Sequence, residues 1–245
     1  MEVAVVGGGF SGEAIKRALV ERGADVTLLS RSRGFDVLRD DAAERLARAE
    51  VIVEATGRFT TGRKAATDFF TRSTRALAGA ARASGARHVL LSIVNCELPE
   101  VQGYGYFAGK AAQERVAREQ GGRLTIVRST QWFDFAGQNL DRMRFGPLAL
   151  VPAMTIKPVA VEAVADVIAE CATGVRVGEL HEVAGPEVMT LWEMTARLPG
   201  KAVGPVPLPI PGRMGRAFRR GVLVPEGAEV VGPSFSAWLA ASRAD

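Results

Sequence analysis

"MEVAVVGGGFSGEAIKRALVERGADVTLL", residues 1–29, decides how the rest of the chain is to be read. Val3 to Val6 is an apolar run of strand length, rich in β-branched residues, and it stops at "GGGFSG", Gly7 to Gly12. Beyond the glycines Ile15, Ala18, Leu19 and Arg22 recur at helical spacing. Gly23 ends that pattern, and Asp25 to Leu29 resumes as a buried strand. Strand, glycine turn, helix, strand is a βαβ unit. Within it Gly7, Gly9 and Gly12 fit G-x-G-x-x-G: the first permits the tight turn, the second lets the backbone approach a pyrophosphate, and the third packs helix against strand. A strand-to-helix turn favours glycine on its own account. In this context the glycines read as a dinucleotide site, with the unpaired N–H groups of the first helical turn aimed at the phosphates.

The far end of the second strand chooses the dinucleotide. An acidic side chain there would grip the adenosine ribose hydroxyls of NAD, but this chain reads Ser30, Arg31, Ser32 and Arg33. Two guanidiniums and two hydroxyls without a carboxylate suit a 2′-phosphate, so NADP(H) is the expected cofactor. A solvated basic turn is the alternative.

Strands and helices continue to alternate. The pattern predicts a short strand at Phe35 to Val37, a helix over Asp41 to Ala49, a strand in "VIVEATG" (Val51 to Gly57) and a helix in "TRSTRALAGAARASG" ended by Gly85. "HVLLSI" is the next strand, "AAQERVAREQ" a helix ended by Gly121 and Gly122, and "LTIVRS" another strand. This order predicts an α/β fold, a Rossmann-like doubly wound parallel sheet. After Gln131 the texture changes to the aromatic "WFDFAGQNL", a helix in "IKPVAVEAVADVIAECA" and a proline-rich Ala202 to Gly212. The expected organisation is an NAD(P)-binding domain over 1–185 and a small substrate-side lobe over 186–245, packed as one unit at the carboxyl ends of the strands. Arg213, Arg216, Arg219 and Arg220 alternate with Met214, Ala217 and Phe218, which suits a basic-faced helix, either solvated or serving as a lid over an anionic cofactor.

Chemistry is expected at those strand ends. Tyr106 precedes Lys110 by four residues, a spacing that puts phenol and ammonium on one helix face, where the charge would ready the phenol as a proton donor. Ser92, closing "HVLLS", could hydrogen-bond a substrate carbonyl. The alternative is a packed tyrosine and a surface lysine. Trp132, Phe133 and Phe135 either wall a flat apolar pocket, suited to aromatic, polyketide-like ketones, or pack the small lobe.

Composition limits the other classes. With 245 residues, 47% hydrophobic and 24% charged, the chain can bury a large core, and neither disorder nor a fibre fits. It has no basic N-terminal segment leading into an apolar run and no stretch of roughly 18 apolar residues, so a cytoplasmic protein away from membranes is expected. Cys96 and Cys171 lie far apart, and His88 and His181 lack partners at ligand spacing. Packing roles for the cysteines, surface or edge roles for the histidines, and no metal site are expected. A net charge of +4, with scattered basic residues, argues against nucleic acid. The expected partner is a small-molecule substrate, met by a monomer or weak homo-oligomer.

With these residues in view, the chain resembles the short-chain dehydrogenase/reductase superfamily, and more closely its atypical, NmrA-like NAD(P)H-binding branch. The carrying segments span nearly the whole chain: "VVGGGFSG", "RSRGFDVLRDD", "VIVEATG", "FFTRSTRALAGAARASGARHVLLSIV", "YFAGKAAQERVAREQGGRLTIVRSTQWFDF", "KPVAVEAVADVIAE", "EVAGPE" and "GPSFSAWL". The resemblance implies that Phe10 and Ser11 line the pyrophosphate turn, Asp36 and Val37 meet adenine, Ala55 and Thr56 face the cofactor, and Thr130 lies near the nicotinamide. It further implies that Lys110 holds the nicotinamide ribose and Tyr106 gives the proton. The chain departs from that pattern at Gly103, Gly105 and Gly109, which are expected to loosen the start of the tyrosine's helix. The branch also includes members that bind the nucleotide without catalysis. The expected function is therefore an NADPH-dependent ketoreductase of secondary metabolism, with a non-catalytic NADP(H)-binding redox sensor as the alternative.

Overall fold

Strand β1 (Glu2–Val6) lies between the parallel strands β2 (Asp25–Leu29) and β3 (Val51–Glu54), and β4 (Arg87–Ile93) pairs with β3. The structure is a computed structural model and describes residues 1–58, 60–200 and 203–242; Ala202, the first residue of the proline-rich segment, lies outside the described residues. Helices α1 (Phe10–Glu21), α2 (Ala42–Arg45), α3 (Arg63–Ser84) and α4 (Gly105–Gln120) follow the first four strands in turn, and β5 (Arg123–Ser129) follows α4. Next come α5 (Phe135–Arg142), β6 (Arg144–Phe145), β7 (Leu148–Pro152), β8 (Thr155–Ile156) and α6 (Val161–Thr173). The chain closes with β9 (Leu180–Ala184), β10 (Met189–Thr190), α7 (Leu191–Arg197), β11 (Gly204–Leu208), α8 (Gly212–Arg219), β12 (Glu229–Val230) and α9 (Phe235–Ala241). Seven strands form one parallel sheet in the order β12-β9-β5-β4-β3-β1-β2, the Rossmann-like α/β arrangement that the alternation of elements predicts.

Two compact units divide the chain: Met1–Arg128 with Glu162–His181, and Ser129–Val161 with Glu182–Asp245. That division differs from the expected 1–185 and 186–245, because the second unit already begins at the end of β5.

In the first unit the central strands are covered on both faces, so β3 is buried along its length and β1 from Val3 onward. Ala4, Val6, Leu29, Ile52, Leu77, Ala80 and Ala81 pack into one cluster that also takes in Phe35 and Leu46. The strand expected at Phe35 to Val37 is absent. Gly34 turns the chain at φ 77°, Phe35 plugs the cluster, and Asp36 accepts from the Leu38 N–H at 3.0 Å while its own N–H donates to Asp40. This carboxylate turn chemistry satisfies the backbone locally and leaves β2 as the sheet's edge. The helix expected over Asp41 to Ala49 is also shorter: Asp41 caps it by accepting from Ala43 and Glu44, and α2 ends at Arg45.

Gly105 and Gly109 do not loosen α4; they let it approach α3. A methyl group on Gly105 would lie 2.5 Å from the Thr61 carbonyl, and one on Gly109 would lie 2.6 Å from the Phe70 ring and 3.0 Å from the Ala66 methyl. The pair is one helical turn apart and forms a small-residue face against its neighbour.

In the second unit β11, β7 and β6 make a three-stranded sheet and β10 pairs with β8. The prolines of "GPVPL" sit in β11 at that sheet's edge, where a missing N–H is tolerated. Helix α8 buries Gly215 and Phe218 and exposes Arg213, Arg216 and Arg219, in keeping with the basic-faced reading. Among the described residues no helix is long and apolar enough to cross a membrane, and no group of His, Cys, Asp and Glu could hold a metal ion.

Candidate functional site

Four glycines line the turn between β1 and α1, and three of them are explained by the protein itself. Gly7 sits at φ +136°, and a methyl group there would lie 2.3 Å from the Ala55 carbonyl oxygen. One on Gly8 would lie 2.5 Å from the Ser30 side chain, and one on Gly12 only 1.7 Å from the Gly7 carbonyl oxygen. Gly9 is different. Its backbone is extended, at φ −87° and ψ −170°, which any residue adopts, and a methyl group on it would meet nothing within 4 Å. No side-chain hydrogen bond caps α1. The second glycine of the motif is thus the one at which the fold leaves room for a side chain. Phe10 is exposed beside it and Ser11 half-buried.

At the end of β2, the Ser30 and Ser32 hydroxyls lie 3.0 Å apart. Arg33 donates to Glu13 in the first turn of α1 at 3.0 Å, which neutralises an acid beside the glycine turn. Arg31 is exposed and enters no ion pair among the described residues. Asp36 is half-buried in its turn, and Val37 packs on the core cluster. Ala55 and Thr56 follow β3 beside Gly7, with the Thr56 hydroxyl donating to Glu54 at 3.1 Å.

Tyr106 is half-buried in the first turn of α4, its ring edge-on to Phe70 with centroids 5.6 Å apart. Its expected helpers both turn inward. Ser92 is 1% exposed and donates to Glu114 Oε1 at 2.6 Å, so it is not presented to a substrate carbonyl. Lys110 is 3% exposed: its ammonium donates to the Leu91 carbonyl at 2.7 Å and to Gln113 Oε1, and lies 4.9 Å from the centre of the Phe70 ring. It is neither a surface lysine nor one that reaches outward for a ribose. Burial lowers its pKa to about 8, although the nearby charge of Glu54 resists the shift.

Sequence reasoning missed the polar core behind these residues. Glu54, fully buried at the end of β3, accepts from Thr74 at 2.7 Å and from Gln113 at 2.7 Å, and its Oε2 lies 3.0 Å from His88 Nε2. His88 is therefore a buried partner of a carboxylate, not a surface or edge residue. Burial pushes the Glu54 carboxyl up, but the hydrogen bond and charge of His88, with Thr74 and Lys110, hold it below the usual carboxylate range. Glu114 is gripped by Arg128, whose Nε donates to Oε1 at 2.8 Å and Nη2 to Oε2 at 2.7 Å; Arg118 adds a bond to Oε2 at 3.1 Å. Against the effect of burial, Arg128, Ser92 and Arg118 hold this carboxyl low as well. Cys96 lies nearby, and burial with the Glu114 charge pushes its thiol up to about 12. The signals in the sequence were charges inside apolar strands, "VIVE" and "LTIVR", and a glutamate one turn after Lys110. An open pocket of about 610 Å³ is lined by Glu97, Gln102, Glu114, Arg115, Arg118 and Arg128 among others, and none of the expected site residues borders it.

In the second unit, the expected aromatic wall is divided. Phe133 is 1% exposed and packs against Phe235 and Trp238, with ring centroids 5.2 and 5.4 Å away, so it is a core residue and cannot line a substrate pocket. Trp132 and Phe135 are half-buried, and the Trp132 indole donates to the Ser129 hydroxyl at 3.1 Å. Thr130 is 2% exposed, and its Oγ1 has no hydrogen-bond partner among the described residues. An unpaired buried hydroxyl of this kind costs free energy until a ligand or water satisfies it.

No family model and no curated protein matches the chain. Solved structures do. That of dTDP-4-dehydrorhamnose reductase from Bacillus anthracis in complex with NADP is similar at 16% identity and a TM-score of 0.72, over 97% of this chain and 96% of that one. A nucleoside-diphosphate-sugar epimerase from Staphylococcus aureus gives 15% identity and 0.72, over 98% and 99%. A short-chain dehydrogenase/reductase superfamily protein from Agrobacterium tumefaciens with bound NAD gives 15% and 0.69, over 100% and 96%. At such identities the likeness is one of fold, and the chain has the Rossmann-type fold of these reductase, epimerase and short-chain dehydrogenase/reductase structures.

Proposed function

We propose that this chain binds NADP(H) at the turn between β1 and α1 and reduces a small carbonyl compound. The open space over Gly9 carries this reading, since Gly7 and Gly12 are accounted for by backbone contacts and Gly8 by the Ser30 side chain. Gly7, Gly9, Phe10, Ser11 and Gly12 form the pyrophosphate turn, with the N–H groups of α1 as donors. Ser30, Arg31 and Ser32 meet the 2′-phosphate while Arg33 keeps Glu13 neutralised. Asp36 and Val37 border the adenine, and Ala55 and Thr56 the middle of the cofactor. The bound cofactor supplies hydride. Tyr106 then gives a proton to the alkoxide, the Lys110 charge acting on it from within the protein rather than from the ribose side.

The first expected result is a preference for NADPH over NADH. Arg31→Ala weakens NADPH about ten-fold or more, the loss of a charge-assisted hydrogen bond of about 1.5 to 3 kcal/mol, and spares NADH. Titration calorimetry with both cofactors checks it, and equal affinities in the parent chain would remove the assignment.

A second reading, a nucleotide binder without catalysis, is favoured by one observation: Ser92 and Lys110 both spend their polar atoms on the interior. Single-turnover oxidation of NADPH against a panel of ketones, aldehydes and nucleotide-linked keto sugars separates the two. For the reductase, Tyr106→Phe lowers the rate about 10²- to 10⁴-fold while NADPH still binds. Binding with no oxidation across the panel supports the silent binder.

A further inference from the structure

One side chain joins Glu54 to Lys110. Gln113 donates from Nε2 to Glu54 Oε1 at 2.7 Å and accepts the Lys110 ammonium on its own Oε1. Turning that amide over would set N–H against ammonium and oxygen against carboxylate, so its orientation is determined by the charges on either side. Glu54 is served further by Thr74, His88 and Thr56, the last from the Ala55–Gly57 segment that follows β3. A fully buried carboxylate costs several kcal/mol unless it is paired, and an apolar side chain would fill the end of β3 without that cost. The carboxylate therefore calls for a purpose beyond packing.

We propose that Glu54 is a positioning residue for Lys110. Through the Gln113 amide its carboxylate sets where the Lys110 ammonium sits and how firmly it keeps its proton, and through Thr56 it ties that charge to the segment beside Gly7. The role in catalysis rests on the reductase reading above, but the coupling itself is a property of the free protein. The groups around Lys110 are few. Glu54 faces it from β3, with His88 of β4 behind; Cys96 approaches from the loop after β4; Glu114 stands on α4 with Arg128 of β5. Helix α3 contributes Phe70 and Thr74, neither of which carries charge. Cys96 stays a thiol until about pH 12 and Glu114 is neutralised by Arg128, which leaves Glu54 as the charge that decides the lysine.

The test follows the Lys110 side chain directly, by the pH dependence of its ¹³Cε chemical shift in nucleotide-free protein, assigned with Lys110→Met. The parent titrates near 8. In Glu54→Gln, which keeps the shape and removes the charge, the midpoint falls by about one unit or more, a ten-fold loss of proton affinity. Gln113→Met, which cuts the bridge and leaves the carboxylate, lowers it in the same direction by less, and decides the matter alone if Glu54→Gln does not fold. A midpoint unchanged in the folded variants overturns the proposal. NADPH titration of the same samples keeps the questions apart: a parent that titrates as described but binds no NADPH removes the reductase reading and leaves the coupling standing.

Discussion

Gly9→Ala is expected to fold like the parent and to bind NADPH at least about ten-fold more weakly, whereas Gly12→Ala is expected not to fold. The two residues lie three apart in one motif, and the structure gives them opposite burdens. A methyl group at position 12 would lie 1.7 Å from the Gly7 carbonyl oxygen, closer than any contact the α1–β1 packing could absorb. One at position 9 meets no protein atom within 4 Å, and its extended backbone imposes no strain. The melting temperature of Gly9→Ala should stay within about 4 °C of the parent, since exchanging glycine for alanine at a helix N-cap costs on the order of 1 kcal/mol. A ten-fold loss of affinity corresponds to about 1.4 kcal/mol and follows from a methyl group standing where the pyrophosphate must approach. Thermal unfolding and calorimetric titration of the same preparations check both halves. Undiminished NADPH affinity in Gly9→Ala would remove the phosphate from the turn.

Arg128→Met is expected to cost about 3 to 5 kcal/mol of stability at neutral pH, because it leaves the buried Glu114 carboxylate with Ser92, the weak thiol donor of Cys96 and the half-exposed Arg118. In the parent the folded Glu114 pKa is depressed, so its contribution is present above the ordinary carboxylate value of 4.5 and is lost as the pH falls through the lower, folded value. The gap between variant and parent therefore narrows in acid, where the variant's Glu114 takes up a proton and ceases to be an unpaired charge. Urea unfolding at several pH values measures this. A loss below about 1 kcal/mol at neutral pH would mean that water replaces the guanidinium at little cost.

How much of this was legible in the residues depended on how far away each cause lay. "GGGFSG" and the alternation of strand and helix could be read because glycine conformation and apolar period are local properties. Phe35 to Val37 was misread because two aspartates, Asp36 and Asp40, offer the backbone a turn in place of a strand. Gly105 and Gly109 looked like helix breakers because their reasons for being glycine lie far earlier in the chain, Thr61 to Arg63 for the first and Ala66 and Phe70 for the second. The i, i+4 spacing placed Tyr106 and Lys110 on one helix but could not say that the ammonium points inward, since that depends on Leu91 and Phe70. His88 looked solitary for the same cause: its partner Glu54 lies 34 residues earlier and meets it only across paired strands.

The close seam between α3 and α4 also has a mechanical meaning. Gly105 lies against the backbone from Thr61 to Arg63, and Gly109 against the Ala66 methyl and the Phe70 ring, so a slide of one helix past the other would drive α4 into those atoms. The pair acts as one beam bolted at the end that carries Tyr106, and Lys110 is anchored from that beam onto the Leu91 carbonyl. Within this unit, room for an arriving ligand has to come from the chain on either side of the beam, the stretch from Ala55 to Arg58 and the one from Val94 to Tyr104, while the phenol and the ammonium keep their spacing.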